Sequence, residues 1–172
     1  MQGEKEKSTT AAAQVRGPID WTLMYEVHGP GLFAFLRRAL GNYANAEDLV
    51  QEVFIHAIRA STQPGPDAIR PWLFRIASNL AISDYRRRRI VRFLTLASDD
   101  AVVAGTFDED ADQVRAALRS IPRDQAVTLT LALHEGFSRR EIADMLGIGE
   151  EAVKSRLARG RRNFAAAYRR LG

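Results

Sequence analysis

The sequence predicts an all-α protein built from two small helical domains joined by a flexible acidic linker. Apolar residues recur at helical spacing over several long segments, and no segment alternates as a strand does. The helical pattern is interrupted by six acidic residues without a basic one: Asp99, Asp100, Asp108, Glu109, Asp110 and Asp112. Because such a segment packs poorly, we predict a linker at 91–112 between domains at 18–90 and 113–172, with a flexible tail at 1–17.

Length and composition limit the classes of protein to consider. The chain has 172 residues, of which 46% are apolar, and this is enough for packed cores. It has no cysteine, which excludes disulfides and thiolate metal sites. The N-terminal segment is charged, and no stretch approaches the ~18 apolar residues of a membrane span. We therefore expect a soluble, cytoplasmic protein with no membrane span.

No pattern of catalytic residues is visible. His28, His56 and His134 are scattered without metal-ligand spacing, and neither a phosphate-binding loop nor a nucleophile–base arrangement is present. We expect no metal, no cofactor and no enzymatic activity.

In the first domain, helical spacing extends over 19–40, where Pro30 predicts a break or kink because it lacks a backbone donor. A second helix is predicted at about 46–60, with Asn45 as its N-cap. Its face opposite the apolar stripe carries the polar residues Asp48, Gln51 and Glu52. This face either is solvated or binds a basic partner that offsets the like charges one turn apart.

A loop at 61–67 and a long helix at about 68–89 complete the first domain. The helix mixes aromatic residues with basic ones: Arg70, Arg75, Arg86, Arg87, Arg88 and Arg89. This mixture favours single-stranded DNA, whose bases stack on rings while its phosphates follow the charge. Trp72 also fits the apolar stripe as a core residue, and Asn79 can either read a base edge or bond locally.

In the second domain, helices are predicted at about 124–135, 138–146 and 150–169. Ser138 and Glu141 have the spacing of a capping box. The expected buried face of the helix at 138–146 is formed by Ile142, Ala143 and Leu146. Gly147 stands where the turn requires positive φ, and Val153 where the next helix packs back. These offsets are typical of a helix-turn-helix.

The second helix of this motif carries a basic surface for DNA. Residues 113–172 hold twelve basic and six acidic residues, a net charge of +6. Neutralising phosphates releases counterions, so such a surface binds DNA in a salt-dependent manner. The alternative is a solvated basic face on an ordinary helical hairpin. The residues predicted to contact duplex DNA are Arg139, Glu150, Glu151, Lys154, Ser155, Arg156, Arg159, Arg161 and Arg162.

Together these segments resemble the extracytoplasmic-function (ECF) sigma factors of bacterial RNA polymerase. The resemblance spans about 19–168 and is carried by AEDLVQEVF (46–54), RPWLFRIASNLA (70–81) with the arginine run after it, and EGFSRREIADMLGIGEEAVKSRLARGRR (135–162). A helix-turn-helix alone is common, whereas these three blocks in this order are highly specific.

The resemblance implies partners for each block. It implies that Asp48, Gln51 and Glu52 dock on the clamp helices of the largest subunit of core RNA polymerase. It implies that the loop at about 61–70, together with Asn79, holds a base flipped from the −10 element. The second helix of the helix-turn-helix would read the −35 element of promoter DNA, while its domain touches the polymerase flap. Control by an anti-sigma factor is also implied.

This chain departs from the family pattern at Ser83, where relatives commonly have Asp, and at Ala152, where they have Thr. Glu150 and Glu151 can accept hydrogen bonds from cytosine or simply complement the helix dipole. Two alternative functions compete with the sigma factor: a sigma-like decoy that binds an anti-sigma factor without binding DNA, and a stand-alone helix-turn-helix regulator.

Overall fold

The protein is all-α, as its sequence predicts. The structure, a computed structural model, describes residues 19–40, 43–95 and 109–172. Within these ranges the chain forms seven α-helices, one short 3₁₀ helix and no strand. The α-helices are α1 (Trp21–Leu40), α2 (Tyr43–Arg59), α3 (Ile69–Thr95), α4 (Glu109–Ser120), α5 (Arg123–Leu133), α6 (Arg139–Leu146) and α7 (Glu150–Leu171).

Helix α1 is continuous through Pro30, so the break that its proline suggests does not occur. Asp20 caps the helix, and its carboxylate accepts hydrogen bonds from the backbone N–H groups of the second and third residues after it. On one side of the proline the ring of Tyr25 contacts that of Phe54 of α2 in a tilted arrangement, with the centroids 5.0 Å apart. On the other side Leu32 is fully buried. Packing on both sides of the proline offsets the hydrogen bond that proline removes.

Helix α2 begins at Tyr43, two residues before Asn45, so the prediction of Asn45 as N-cap is wrong. Alanine has the highest helix propensity, and an alanine on each side of Asn45 lets the helix start earlier.

Helix α3 runs to Thr95 and α4 begins at Glu109. Both helices therefore reach into the segment predicted as a linker, and residues 96–108 lie outside the described residues, as does the predicted tail at 1–17. Three of the six linker acids, Glu109, Asp110 and Asp112, lie within α4.

The two halves of the chain, α1–α3 and α4–α7, are packed against each other. Helices α1 and α3 contact α5, α1 also contacts α4, and α3 also contacts α6. Three phenyl rings continue from one half into the other: Phe35 of α1, Phe74 of α3 and Phe137 before α6, with successive centroids 5.3 Å apart. A single apolar core therefore extends across both halves.

Candidate nucleic-acid and polymerase interfaces

The polar face of α2 is accessible. Asp48 and Gln51 are exposed and Glu52 is half-buried, while Leu49, Val50, Val53, Phe54 and Ala57 are buried on the other side. The helix therefore brings the three residues predicted to bind polymerase together on one face. Exposed Ile55 continues this face by one turn, an apolar contact point that sequence reasoning missed.

The loop after α2 and the start of α3 border a cavity of about 540 Å³. From the first half it is lined by Thr62, Gln63, Pro64, Ala68, Pro71, Trp72 and Arg75. Trp72 is half-buried: one part of its side chain packs at the edge of the core, and another part lines the cavity. It therefore has contacts of both kinds that the sequence suggested, with the core and with an open surface. An aromatic face, an exposed guanidinium and loop amides are groups that bind an unstacked base and its phosphates.

Asn79 extends this surface along α3. Trp72, Arg75 and Asn79 stand at positions i, i+3 and i+7 and therefore share one face, and Asn79 is exposed. The backbone of Arg86–Arg89 lies within α3, but the side chains of this run lie outside the described residues.

Arg70, another residue predicted to contact the −10 element, instead contacts Glu135 of the second half. Its guanidinium donates to the backbone oxygen of Glu135 at 3.0 Å and lies 3.4 Å from that residue's carboxylate. It also stands over the rings of Phe74 and Phe137, at 5.0 and 4.4 Å from their centroids. Arg70 is thus held between the two halves instead of pointing into the cavity with Trp72 and Arg75.

The helix-turn-helix has the geometry that its sequence predicts. Ser138 and Glu141 form the capping box, with hydrogen bonds of 3.2 and 2.8 Å. The hydrogen bonds with Ser138 lower the pKa of the Glu141 carboxyl. Gly147 ends α6 at φ 63°, in the left-handed region, and Val153 is fully buried against α6. Ile142 and Ala143 are buried as predicted, Met145 is buried as well, and Leu146 is half-buried at the edge of the core.

Helix α7 exposes a polar surface along its N-terminal part. Seven of the predicted duplex contacts on this helix are exposed: Glu150, Glu151, Lys154, Ser155, Arg159, Arg161 and Arg162. Lys154 lies 3.3 Å from the Glu151 carboxylate, and both side chains remain in solvent. Arg139 is exposed at the start of α6.

Arg156 differs from these residues. Its Nε lies 3.2 Å from the Asp124 carboxylate of α5, and its side chain is only 19% exposed. It joins α7 to α5 and is not part of the open basic surface.

Two features that sequence reasoning missed hold the second half together. Gly160 lets α7 approach α5 closely, since a Cβ there would lie 3.2 Å from Leu129. Asn163 donates to the side-chain oxygen of Gln125 at 2.8 Å. Neither contact has a local sequence signature, because the partners are more than thirty positions apart.

The structure also shows a charged cluster that no motif predicts. The Glu135 side chain is 11% exposed and faces both Arg70 and Arg38, the latter at 3.8 Å. Burial raises the pKa of Glu135, and the two arginines only partly offset this. Burial, and then the positive charge of Arg70, lowers the pKa of His28. The pKa of His134 is lowered by burial and then by Arg38.

In the described residues, no group of three or more His, Cys, Asp or Glu side chains could hold a metal ion. None of the helices in the described ranges is long and apolar enough to cross a membrane.

Comparison with known proteins gives the same assignment for both halves. The Sigma-70 region 2 family matches residues 24–90, and the Sigma-70 region 4 family matches residues 111–164. The chain is 36% identical to the ECF RNA polymerase sigma factor EcfG of Rhodopseudomonas palustris over 80% of this chain and 78% of that protein. It is 33% identical to the RNA polymerase sigma factor CarQ of Myxococcus xanthus over 80% and 82% of the two chains.

A further relative is the ECF sigma factor SigE of Mycolicibacterium smegmatis, 33% identical over 84% of this chain; the match spans only 60% of SigE. Among solved structures, the sigma factor RpoE of Bartonella quintana, crystallised with the anti-sigma factor NepR, matches at a TM-score of 0.70 and 26% identity. That match covers 87% of this chain and 97% of RpoE. With both family regions present in order, on helices that carry the predicted motifs, the chain belongs to the ECF sigma factors of RNA polymerase.

Proposed function

We propose that this chain binds core RNA polymerase through α2, captures a base of the −10 element beside α3, and reads the −35 element with α7. The observation that carries this proposal is the separation of two surfaces. Trp72 and Arg75 line a cavity and share one face of α3 with Asn79, whereas the basic surface of α7 lies on another helix and is open to solvent.

The decisive experiment is reconstituted initiation. Purified chain and core polymerase should start transcription from promoters mapped upstream of the transcripts that appear when the chain is overproduced. Failure to initiate at every such promoter would sink the proposal. Tight binding to an anti-sigma factor, without binding to core enzyme or DNA, would instead support the decoy.

Docking on the clamp helices is tested by reversing one charge on α2. Asp48→Arg should reduce affinity for core polymerase by at least about tenfold, because charge complementarity at a docking face becomes repulsion. Glu47→Arg is the matched control. Glu47 borders a groove next to Tyr25 and Pro30 of α1, on a different face of α2. Equal loss of affinity in both variants would contradict docking through the Asp48 face.

Base capture is tested at Asn79. Extruding a base costs a few kcal/mol of stacking, which a pocket must offset by contacts to that base. Asn79→Ala should weaken binding of single-stranded −10 DNA and reduce the preference for one base at one position. Uniform weakening over all sequences would assign Asn79 to the DNA backbone instead.

Reading of the −35 element is tested by salt dependence. Lys154→Ala should lower the slope of log affinity against log salt by about one, the effect of one lost phosphate contact. Arg156→Ala should change the slope less, because Arg156 is already paired with Asp124.

Control by an anti-sigma factor completes the proposal. It is supported by the likeness to RpoE, a sigma factor solved with such an inhibitor. The contact of the second half with the polymerase flap is likewise carried over from the family.

A further inference from the structure

We propose that the cavity beside Trp72 binds a small zwitterion with a large apolar side chain, of the class of free aromatic amino acids. The inference goes beyond the proposed function, which uses only the wall that α3 and the loop before it contribute. It follows from the groups on both walls of the cavity.

The cavity is a concave site of suitable size, and its walls come from segments that are distant in the sequence. Its volume of about 540 Å³ lies within the range of about 300–1,000 Å³ that is usual for small-molecule sites. The loop before α3 and the start of α3 form one wall, and Glu141, Asp144 and Met145 of α6 form the other. These α6 residues stand at positions i, i+3 and i+4 and therefore share one face of that helix.

Much of the lining is apolar. Trp72 is half-buried and Met145 is buried, and the rest of the apolar lining consists of Pro64, Ala68 and Pro71. An indole and a thioether from opposite walls both make favourable contacts with an aromatic ring. This part of the cavity therefore fits a large apolar side chain.

Charges of opposite sign stand on the two walls. Arg75 of α3 is exposed on one side, and Glu141 and Asp144 are exposed on the other. The side chains of Arg75 and Asp144 have no ion pair or hydrogen bond within the part of the chain that the structure describes. Glu141 accepts a hydrogen bond from the backbone N–H of Ser138, so Asp144 is the carboxylate that remains open to a ligand.

A zwitterion satisfies both walls at once. Its carboxylate pairs with the guanidinium of Arg75, and its ammonium group donates to Asp144, with the charge of Glu141 nearby. Such charge-assisted hydrogen bonds are the stronger class. Because the walls carry one positive and two negative charges, a free nucleotide with several phosphate charges is disfavoured. Each part of an aromatic amino acid therefore has a matching group in the cavity.

The site has a consequence for DNA. A ligand bound here occupies Trp72 and Arg75, the same groups that the proposed function assigns to a base of the −10 element. Binding of the small molecule and capture of single-stranded DNA should therefore be competitive.

Four probes that differ in one group each test the class of ligand. Titrations of the full chain are followed by the emission of Trp72 in a Trp21→Phe background, so the signal comes from the cavity itself. L-phenylalanine should bind with a dissociation constant of about 1 mM or below, as expected for a ligand of about a dozen non-hydrogen atoms. Phenethylamine lacks the carboxylate, 3-phenylpropionate lacks the amine and glycine lacks the ring, and each should bind at least about tenfold more weakly.

Two substitutions that each neutralise one charge should change the preference among the probes in opposite ways. Asp144→Asn should weaken binding of L-phenylalanine at least about tenfold without weakening that of 3-phenylpropionate. Arg75→Gln should weaken L-phenylalanine to a similar degree without weakening phenethylamine. Glu26→Gln, at an exposed acid of α1 outside the cavity, is the matched control and should bind all four probes as the parent does. All three positions are exposed, so circular dichroism should show an unchanged helical signal.

Competition with DNA completes the test. At ten times its dissociation constant, L-phenylalanine should weaken the binding of single-stranded −10 DNA about tenfold, whereas glycine at the same concentration should not.

Three results would overturn the inference: unchanged emission of Trp72 with L-phenylalanine, equal affinity for a probe that lacks one charge, or full affinity in both Asp144→Asn and Arg75→Gln. Reconstituted initiation by the wild type without any small molecule is a separate readout. Failure of the ligand site therefore leaves the proposed sigma function standing.

Discussion

At the scale of single residues, burial and charge decide which predicted site residues are available. Lys154 and Arg156 both lie on α7 two positions apart, but the first is open to solvent and the second is paired with α5. Arg70 and Arg75 differ in the same way, since only Arg75 faces the cavity. Residue type and spacing therefore predict which helix face carries the basic residues. Tertiary contacts then decide which of those residues remain open to solvent.

The lowered pKa of His28 predicts that the stability of the fold depends on pH. Burial, and then the positive charge of Arg70, hold the pKa of His28 below its ordinary value in the folded chain, so the unfolded chain binds more protons at mildly acidic pH. The contribution of His28 to the free energy of unfolding is therefore fully present above a pH of about 6.5. It is lost as the pH falls through the lowered pKa. Urea unfolding at pH 7.5 and 5.5 should show a smaller loss of unfolding free energy in His28→Gln than in the wild type.

The wild type and His28→Gln differ only at this residue, so the difference between their losses of unfolding free energy reports on His28. Glu135, whose raised pKa acts in the opposite direction, is common to both and cancels in the difference. An equal loss of unfolding free energy in the wild type and the variant would mean that His28 does not cause the pH dependence.

At the scale of helices, one glycine sets how closely α7 and α5 pack. Gly160 is buried, and a side chain there would press on Leu129 and Gln125. Gly160→Val should lower the free energy of unfolding by about 1–3 kcal/mol through overpacking. Urea denaturation measures this effect.

Gly31 is the matched control, since it lies inside α1 with nothing within 4 Å of an added Cβ. Gly31→Ala should raise stability by about 0.5–1 kcal/mol through reduced chain entropy. If Gly160→Val were as stable as the wild type, the close approach would be looser than the structure shows.

The positions of the helices were largely predictable from the sequence, and each error in the prediction has a local cause. The capping box and the left-handed turn fixed α6 to its observed bounds, because both signals are short-range and chemical. The break predicted at Pro30 failed because packing on α2 outweighs one lost hydrogen bond. Asn45 failed as a cap because alanine on both sides extends the helix.

At the scale of the whole molecule, the interface between the halves could not be read from the sequence. Arg70 and Glu135 are 65 positions apart, and neither belongs to a pattern that points to the other. Periodicity identifies which face of a helix is buried but not which helix covers it. The layout of two helical units was therefore predictable, whereas the packing of one unit on the other was not.

One consequence is cooperative unfolding. Because the apolar core extends across both halves, they should unfold together in urea. Both tryptophans, Trp21 and Trp72, lie in the first half, so their fluorescence reports mainly on that half, while circular dichroism reports on all helices. The two transitions should coincide in the wild type and separate in Glu135→Lys. Two separate wild-type transitions would show that the halves are energetically independent.

The basic side of α7 faces solvent, while its other side is fixed to α5 by the close approach at Gly160 and the hydrogen bond from Asn163. The exposed arginines of α7 therefore stand on a rigid support. A ligand that binds them does not have to order the helix first, so less of the binding free energy is lost as conformational entropy.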